Sequence, residues 1–512
     1  MLLPSRYASR LDRANQVLAE LLLVKRRPGR LSPGVVWILA IAILLFAAFL
    51  RLHRLTFQPL WSDEIITWVR AGQPTLRQVV EHGRISNWPP GYFLFVHAYM
   101  RFLGDSAFAL RFPSALAGVL SLAVLFSLGR HLFNAETGLA AALIGAVTWM
   151  PIYYSQEARP YTWLFLLSII MTLCWIYILE YLESGRRLPL KFVIGYDVSA
   201  IICVYSHYFG LLLVATHAVI GGVILLRTPR RLLPFGALFI FIGLAYLPWL
   251  RNFFLTVDNA STWIGLPAGY PRMFMSYISF LMGESRGLMI LFFILTSFAL
   301  LTFFLQKRPF KRLRLTTPSL LLALILLIPF TITFVRSVLV SPILNYRYLI
   351  ISAPAVYILL ARILCVPTLK RWVQTILVLG FAGYALFYLV WQLGYYTVVT
   401  KDDFRQAAAF VMDLGKEIDD ESLMIGVPVA GYEYYFEQMG WNRKIEVADP
   451  RFVALVDVQQ ALSTQQPSYV WYLTTDVYRD PAIINYLEEH MVTLEHRMWP
   501  GTEVWLFRTQ PS

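Results

Sequence analysis

Two acids stand side by side at Asp63 and Glu64, in the run Trp61-Ser62-Asp63-Glu64, just beyond the first stretch long and apolar enough to cross a bilayer. Tandem carboxylates beside a membrane can hold a metal ion or take a proton from a hydroxyl. Four further polar groups fall at the ends of apolar runs. Tyr153-Tyr154-Ser155-Gln156-Glu157-Ala158-Arg159-Pro160-Tyr161 forms a polar turn where a hairpin needs only glycine and proline. His207 lies in Ser206-His207-Tyr208, and Arg347 in Asn345-Tyr346-Arg347-Tyr348. Charge at a membrane edge is costly, roughly 2.5–3.5 kcal/mol at a helix centre, so such residues are functional candidates by default. Each also has an ordinary structural reading. Asp63 and Glu64 suit a first helical turn capped by Ser62, Glu157 and Arg159 could tie down their turn, His207 could be a satisfied interfacial histidine, and Arg347 could snorkel to headgroups.

The elements that must position these groups are membrane spans. Hydrophobic residues make up 58% of the 512 and charged residues 15%, more apolar surface than a soluble core can hide. The net charge of +13 is unevenly spread: residues 401–512 carry 9 Lys+Arg against 18 Asp+Glu, leaving 35 basic against 13 acidic residues on 1–400. Most of that excess sits in short loops, a membrane-orientation signature and not a nucleic-acid stripe. Apolar runs near 34–52, 109–129, 138–155, 160–181, 192–207, 209–226, 233–251, 287–306, 317–336, 347–365 and 372–392 predict eleven crossings. Arg130, the Arg186–Lys191 group, Arg227 to Arg231, Lys307 to Arg314, and Lys370 with Arg371 then share the cytoplasmic side with Lys25 to Arg30. The N-terminus is expected inside as a retained signal anchor, with residues 7–24 as an interfacial helix, and the C-terminus outside.

Two long outer loops follow, 53–108 and 252–286. In the first, Trp61, Ile65, Trp68 and Val69 recur at helical spacing while Asp63, Thr67 and Arg70 share another face, predicting a helix in the membrane interface. Gly91 to Leu103 is apolar but too short to cross, and reads as a second interfacial element. After residue 400, helical Phe404–Leu414 alternates with strand-like Leu423–Val427 and Tyr469–Leu473, the pattern of a small α/β domain. The expected division is a cytoplasmic segment 1–33, a transmembrane catalytic domain 34–395 and an extracytoplasmic α/β domain 396–512. Cys174, Cys203 and Cys365 all fall within or at the end of apolar runs and read as packing residues. The sequence has no Walker loop, Gly-rich dinucleotide fingerprint or HExxH, so nucleotide-driven chemistry is unsupported.

The pattern resembles the bacterial branch of the protein O-mannosyltransferase and aminoarabinose transferase group, family 39-like glycosyltransferases of the GT-C superfamily. The resemblance rests on WSDE at 61–64, WPPGYF at 88–93, LRFPSALAGVLS at 110–121, YYSQEARPYTW at 153–163, SHYF at 206–209 and YRYL at 346–349. It implies an α-helical polytopic GT-C fold and transfer of a sugar from a polyprenyl phosphate to a protein, lipid or glycan acceptor, with inversion at the anomeric carbon. Asp63 is carried over as catalytic with Glu64 beside it, and Glu157, Arg159, Tyr154, His207, Tyr346 and Arg347 as substrate-binding. A departing phosphate needs its charge neutralised, which suits Arg347 and Arg159. Asp63 and Arg347 are therefore expected at one outer pocket. Many relatives carry His where Trp88 precedes Pro89-Pro90, so a divalent cation stays open, with His207 and Glu157 as candidate participants. The expected setting is an inner or plasma membrane, with membrane lipids as neighbours and no nucleic acid. The rival readings are a lipid-linked-substrate transporter or flippase, which needs midplane charges and broken helices in both halves, and transfer of another lipid-borne group such as phosphoglycerol.

Overall fold

The computed structural model describes residues 31–86, 88–259, 270–304, 316–366, 369–416, 418, 422–441, 443–448 and 453–510. The expected interfacial helix 7–24, the basic residues 25–30 and the cluster 307–314 lie outside the described residues. The chain divides into two compact units. The first comprises residues up to 53, 76–95 and 112–393; the second comprises 54–75, 96–111 and 394–512. The boundary expected at 395/396 thus falls at 393/394, and the second unit also takes in two segments of the first outer loop.

The first unit is helical and multi-pass. Among the described residues seven helices are long and apolar enough to cross a membrane: Pro33–Leu52, Ala107–Leu132, Tyr161–Ser184, Pro229–Thr256, Pro318–Leu339, Tyr346–Leu364 and Arg371–Gln392. Two bent pairs bring the number to nine. By length and composition the described helices thus give up to nine crossings, against the eleven expected. The stretch expected at 138–155 breaks at Thr148 into Ala135–Val147 and Trp149–Ser155, bent by 62°. Leu190–Ser206 and Phe209–Leu225 are 17 residues each; at about 1.5 Å per residue each falls short of a hydrocarbon core of about 30 Å. The expected outer loop 252–286 is partly helical: Leu232–Asn259 runs into it, and Arg272–Leu281 meets Arg286–Leu301 at 107°.

One buried cation organises the polar turn of this unit. Arg51, fully buried at the end of Pro33–Leu52, donates from Nη1 to Ala47 O and Ala146 O, from Nη2 to Gly145 O and from Nε to Ser155 Oγ, at 3.1–3.3 Å. Gln156 Nε2 in turn donates to the carbonyls of Leu50, Arg51 and His53. The last carbonyls of a helix have no intrahelical partner, and here the turn at 155–156 supplies one. The turn is polar because it caps this helix.

The second unit holds a five-stranded sheet: β1 (Ser422–Val427), β2 (Val447–Ala448), β3 (Tyr469–Thr475), β4 (Met491–Trp499) and β5 (Thr502–Thr509), in the order β2-β1-β3-β5-β4. β1 runs parallel to β2 and β3, and β5 antiparallel to β3 and β4. Leu423, Ile425, Val470, Tyr472, Leu487 and Phe507 form its buried core. β4 and β5 join at Pro500-Gly501, where Gly501 has φ +65, a conformation glycine adopts without cost.

The first outer loop forms the helices Ser62–Ala71, Leu76–Ile85 and Gly91–Leu103. Within the second unit, Ser62–Ala71 packs on Val429–Gln438: Trp68 meets Tyr434 edge-on at 5.2 Å and donates from Nε1 to Asp105 at 2.8 Å. Both expected faces are covered by protein: Ile65 of the apolar face is buried, and so are Thr67 and Arg70 of the other, while Ile66 is exposed. The N-cap position falls on Trp61, and Ser62 opens the helix.

Gly118 in the first unit has no room for a side chain, since a Cβ there would run into Ser155 Oγ and come within 2.9 Å of Arg51 Nε. Gly118→Ala should destabilise the purified protein by about 1–3 kcal/mol, the usual cost of overpacking. A thermal unfolding midpoint equal to the parent's would show that the Arg51–Ser155 contact yields freely.

Candidate active site

The polar turn, the SHYF corner and the YRYL segment converge in the first unit. Tyr161 opens the helix Tyr161–Ser184 directly after Arg159-Pro160, and Tyr346–Ser352 is a 3-10 helix whose N-cap Asn345 accepts from Arg347 N at 3.2 Å. Tyr161 and Tyr348 lie nearly parallel, 20° apart with centroids at 6.2 Å. The Arg347 guanidinium sits 5.7 Å from both rings. The Arg159 guanidinium sits 5.8 Å from Tyr161 and 5.4 Å from Trp88. Two cations thus share one aromatic ring, an arrangement that favours an anion between them.

His207 completes the group. It lies in the connection between Leu190–Ser206 and Phe209–Leu225, outside both helices, with its ring 4.6 Å from Tyr348 and 5.6 Å from Trp88. Burial first, then the charges of Arg159 and Arg347, push its pKa down to about 3, so the ring is neutral over the ordinary pH range. Nδ1 accepts from Phe209 N at 3.2 Å, which leaves the proton on Nε2 as a donor. A neutral ring beside two guanidiniums is a poor seat for a divalent cation and a good one for phosphate oxygens. Among the described residues no three His, Cys, Asp or Glu side chains gather into a metal cluster.

Tyr154, buried, meets Tyr161 edge-on at 5.0 Å and so borders the same group. Glu157 is fully buried in the turn, its N–H donating to Tyr154 O at 3.4 Å. Tyr346 stacks instead on Tyr277, 26° apart at 6.3 Å. Sequence reasoning did not single out Tyr161, Tyr348 or Trp88 as site residues. The first two stand inside the YYSQEARPY and YRYL runs. Trp88 was legible only as a departure from the family pattern, yet its face carries Arg159.

Asp63 and Glu64 fall in the second unit and have different surroundings from each other. Asp63 is half-buried, whereas Glu64 is fully buried. Arg111 donates to both Glu64 oxygens, Nε to Oε1 at 2.8 Å and Nη2 to Oε2 at 2.6 Å, and Lys401 Nζ lies 3.6 Å from Oε2. The remaining Arg111 donors reach the carbonyls of Leu55, Gln58 and Pro59 at 2.7–2.9 Å. Glu64 is thus held by a cation whose five N–H groups are all engaged. Ser62 donates from its backbone N to Asp402 Oδ2 at 3.2 Å, and its hydroxyl donates to the same oxygen. Arg111 and Lys401 were not singled out; Arg111 is the arginine of the LRFPSALAG run, where its type alone gave the signal.

Residues 87–249 match the model of a family described as dolichyl-phosphate-mannose-protein mannosyltransferase. No curated protein is significantly similar in sequence. Among solved structures, ArnT from Cupriavidus metallidurans in the apo state aligns with a TM-score of 0.56 at 14% identity, over 93% of this chain and 98% of that one. The same protein bound to undecaprenyl phosphate aligns with a TM-score of 0.53 at 14% identity, over the same shares. The Archaeoglobus fulgidus oligosaccharyltransferase tethered with an acceptor peptide containing the NVT sequon aligns at 0.51 and 11% identity, over 94% of this chain and 74% of that one. The fold is the one shared with ArnT and this oligosaccharyltransferase. The family match covers residues 87–249, less than half of the chain, and the likeness to ArnT is one of fold.

Arg111→Met removes the bidentate partner of the buried Glu64 and should cost about 3–5 kcal/mol, the usual penalty for breaking a buried pair from one side. The Glu64→Gln, Arg111→Met double variant should recover part of that loss in chemical or thermal unfolding. Equal stability of the single variant and the parent would count against the pair as an anchor.

Proposed function

We propose that this protein moves a sugar from a polyprenyl monophosphate donor to an acceptor hydroxyl at the outer face of an inner or plasma membrane, with inversion. The observation that supports this most directly is the first-unit group: two guanidiniums and a neutral imidazole around Tyr161 and Tyr348. It suits a phosphate that leaves as an anion. The undecaprenyl phosphate bound to ArnT is consistent with such a donor. The acceptor is a hydroxyl of a protein, lipid or glycan.

The step is a single displacement. The acceptor oxygen forms its bond to the anomeric carbon as the bond from that carbon to the phosphate oxygen breaks. The acceptor proton goes to Asp63, the half-buried carboxylate, and the phosphate departs as polyprenyl monophosphate, its charge met by Arg347 and Arg159 and by a hydrogen bond from His207 Nε2. Glu64 keeps the place assigned to it beside Asp63 but acts through Arg111, which holds it in its buried seat. Tyr154, Glu157 and Tyr346 shape the donor side, and the sheet-bearing unit lies outside the membrane with the C-terminus. No nucleotide takes part, and no step here needs a metal.

Asp63→Asn should cut transfer at least about a hundredfold, the lower end of general-base contributions, with expression and unfolding midpoint preserved. Mass spectrometry of undecaprenyl phosphate released from a mixed pool of undecaprenyl-phosphate-linked sugars measures it, and retained turnover would remove Asp63 from the chemistry. Arg347→Ala should weaken binding of undecaprenyl phosphate itself about tenfold, near 1.4 kcal/mol, read as Kd by native mass spectrometry. An unchanged Kd would reduce Arg347 to a headgroup anchor.

A further inference from the structure

The dipeptide Lys401-Asp402 touches the tripeptide Ser62-Asp63-Glu64 at both ends and leaves its middle residue between two fixed points. Asp402 Oδ2 accepts from Ser62 N at 3.2 Å and from the Ser62 hydroxyl. Lys401 Nζ lies 3.6 Å from Glu64 Oε2 and 5.7 Å from the ring of Trp61. Lys401 is itself 5% exposed, so this is an interior clamp and not a surface pair that solvent would screen.

The clamp is in turn seated by the β4–β5 hairpin. Asp403 N donates to Pro500 O at 2.8 Å, and Thr502 Oγ1 donates to Asp403 O at 3.4 Å. At Gly501 an added Cβ would run into the Asp402 carboxylate and come within 3.1 Å of its Cα. The hairpin tip therefore fits against Asp402 with no side chain to spare. These residues all belong to the second unit.

We propose that Asp402, seated by the Pro500-Gly501 turn, is a positioning residue that fixes the first turn of the helix Ser62–Ala71 and thereby the direction of the Asp63 carboxylate. This rests on the reading of Asp63 as the acid-base residue. Asp402 touches no substrate atom in this role. It aligns the backbone from which Asp63 projects, and its loss acts on the rate of the chemical step while donor affinity stays as it was. Misplacement of a reacting group by about 1 Å is enough to cost about a hundredfold.

The test uses the full-length protein in lipid nanodiscs and the mixed pool of undecaprenyl-phosphate-linked sugars. Asp402→Asn should lower kcat roughly tenfold to a hundredfold, with apparent KM and the Kd for undecaprenyl phosphate within about twofold of the parent. Adding Ser62→Ala should cost little more, because both changes break one contact. Hydrogen exchange, which needs no donor, should quicken in the first turn of the helix and not in β1 or β3. A kcat within about twofold of the parent, or unchanged exchange at Ser62 to Glu64, overturns the proposal. So does a parallel loss of donor affinity and global stability, which would make Asp402 merely structural. Where Asp402→Asn does not fold, Ser62→Ala alone removes only the hydroxyl and must still slow turnover severalfold; unchanged turnover there is equally fatal. Asp63→Asn run alongside separates the two failures: turnover kept by that variant sinks the reading of Asp63, whereas turnover lost there but kept by Asp402→Asn sinks only the positioning role.

Discussion

A guanidinium can leave water only if its five N–H groups and its charge are met where it goes. Arg111 satisfies that condition fully, with a bidentate carboxylate and three carbonyls. The requirement runs both ways, because an arginine needing three carbonyls dictates the course of residues 55–59 as firmly as any turn motif. The path of the chain into the helix that carries Asp63 follows from that one side chain. Arg51 does comparable work in the first unit with four acceptors, three of them carbonyls, and there it shapes the turn that carries Arg159.

The arginines thus divide by the kind of partner each has. Arg51 and Arg111 spend their donors on backbone and fixed side chains, and hold the fold. Arg159 and Arg347 lie against the faces of Tyr161, Tyr348 and Trp88. Glu64 and Asp63 show a similar division between neighbours in sequence: one is fully buried in a cationic seat, the other is half-buried at the same helical turn.

Much of this was legible beforehand. The apolar runs located the helices, and strands were anticipated at Leu423–Val427 and Tyr469–Leu473, within the observed Ser422–Val427 and Tyr469–Thr475. The grouping of Tyr154, Arg159, His207 and Arg347 followed from motif resemblance, since residues some 190 apart carry no local signal of meeting. Other features had no such signal. Hydrophobic periodicity separated Thr67 and Arg70 from the apolar face but carried no sign that they would be buried, because it cannot register a protein partner some 360 residues downstream. The bend at Thr148 and the 17-residue lengths on either side of His207 depend on where helices end, which apolar content does not define. The roles of Arg111 and Lys401 rest on tertiary pairing alone.

The discontinuous make-up of the second unit bears on how the molecule is made. Its segments 54–75 and 96–111 leave the ribosome early, and Glu64 can find Arg111 only 47 positions away. Lys401, Asp402 and the whole sheet arrive after residue 393, when the membrane helices have already been synthesised. During that interval the Ser62–Ala71 helix has its arginine seat but neither the 401–402 brace nor the Val429–Gln438 surface it packs on. Completion of the turn from Ser62 to Glu64 is therefore postponed to the end of synthesis.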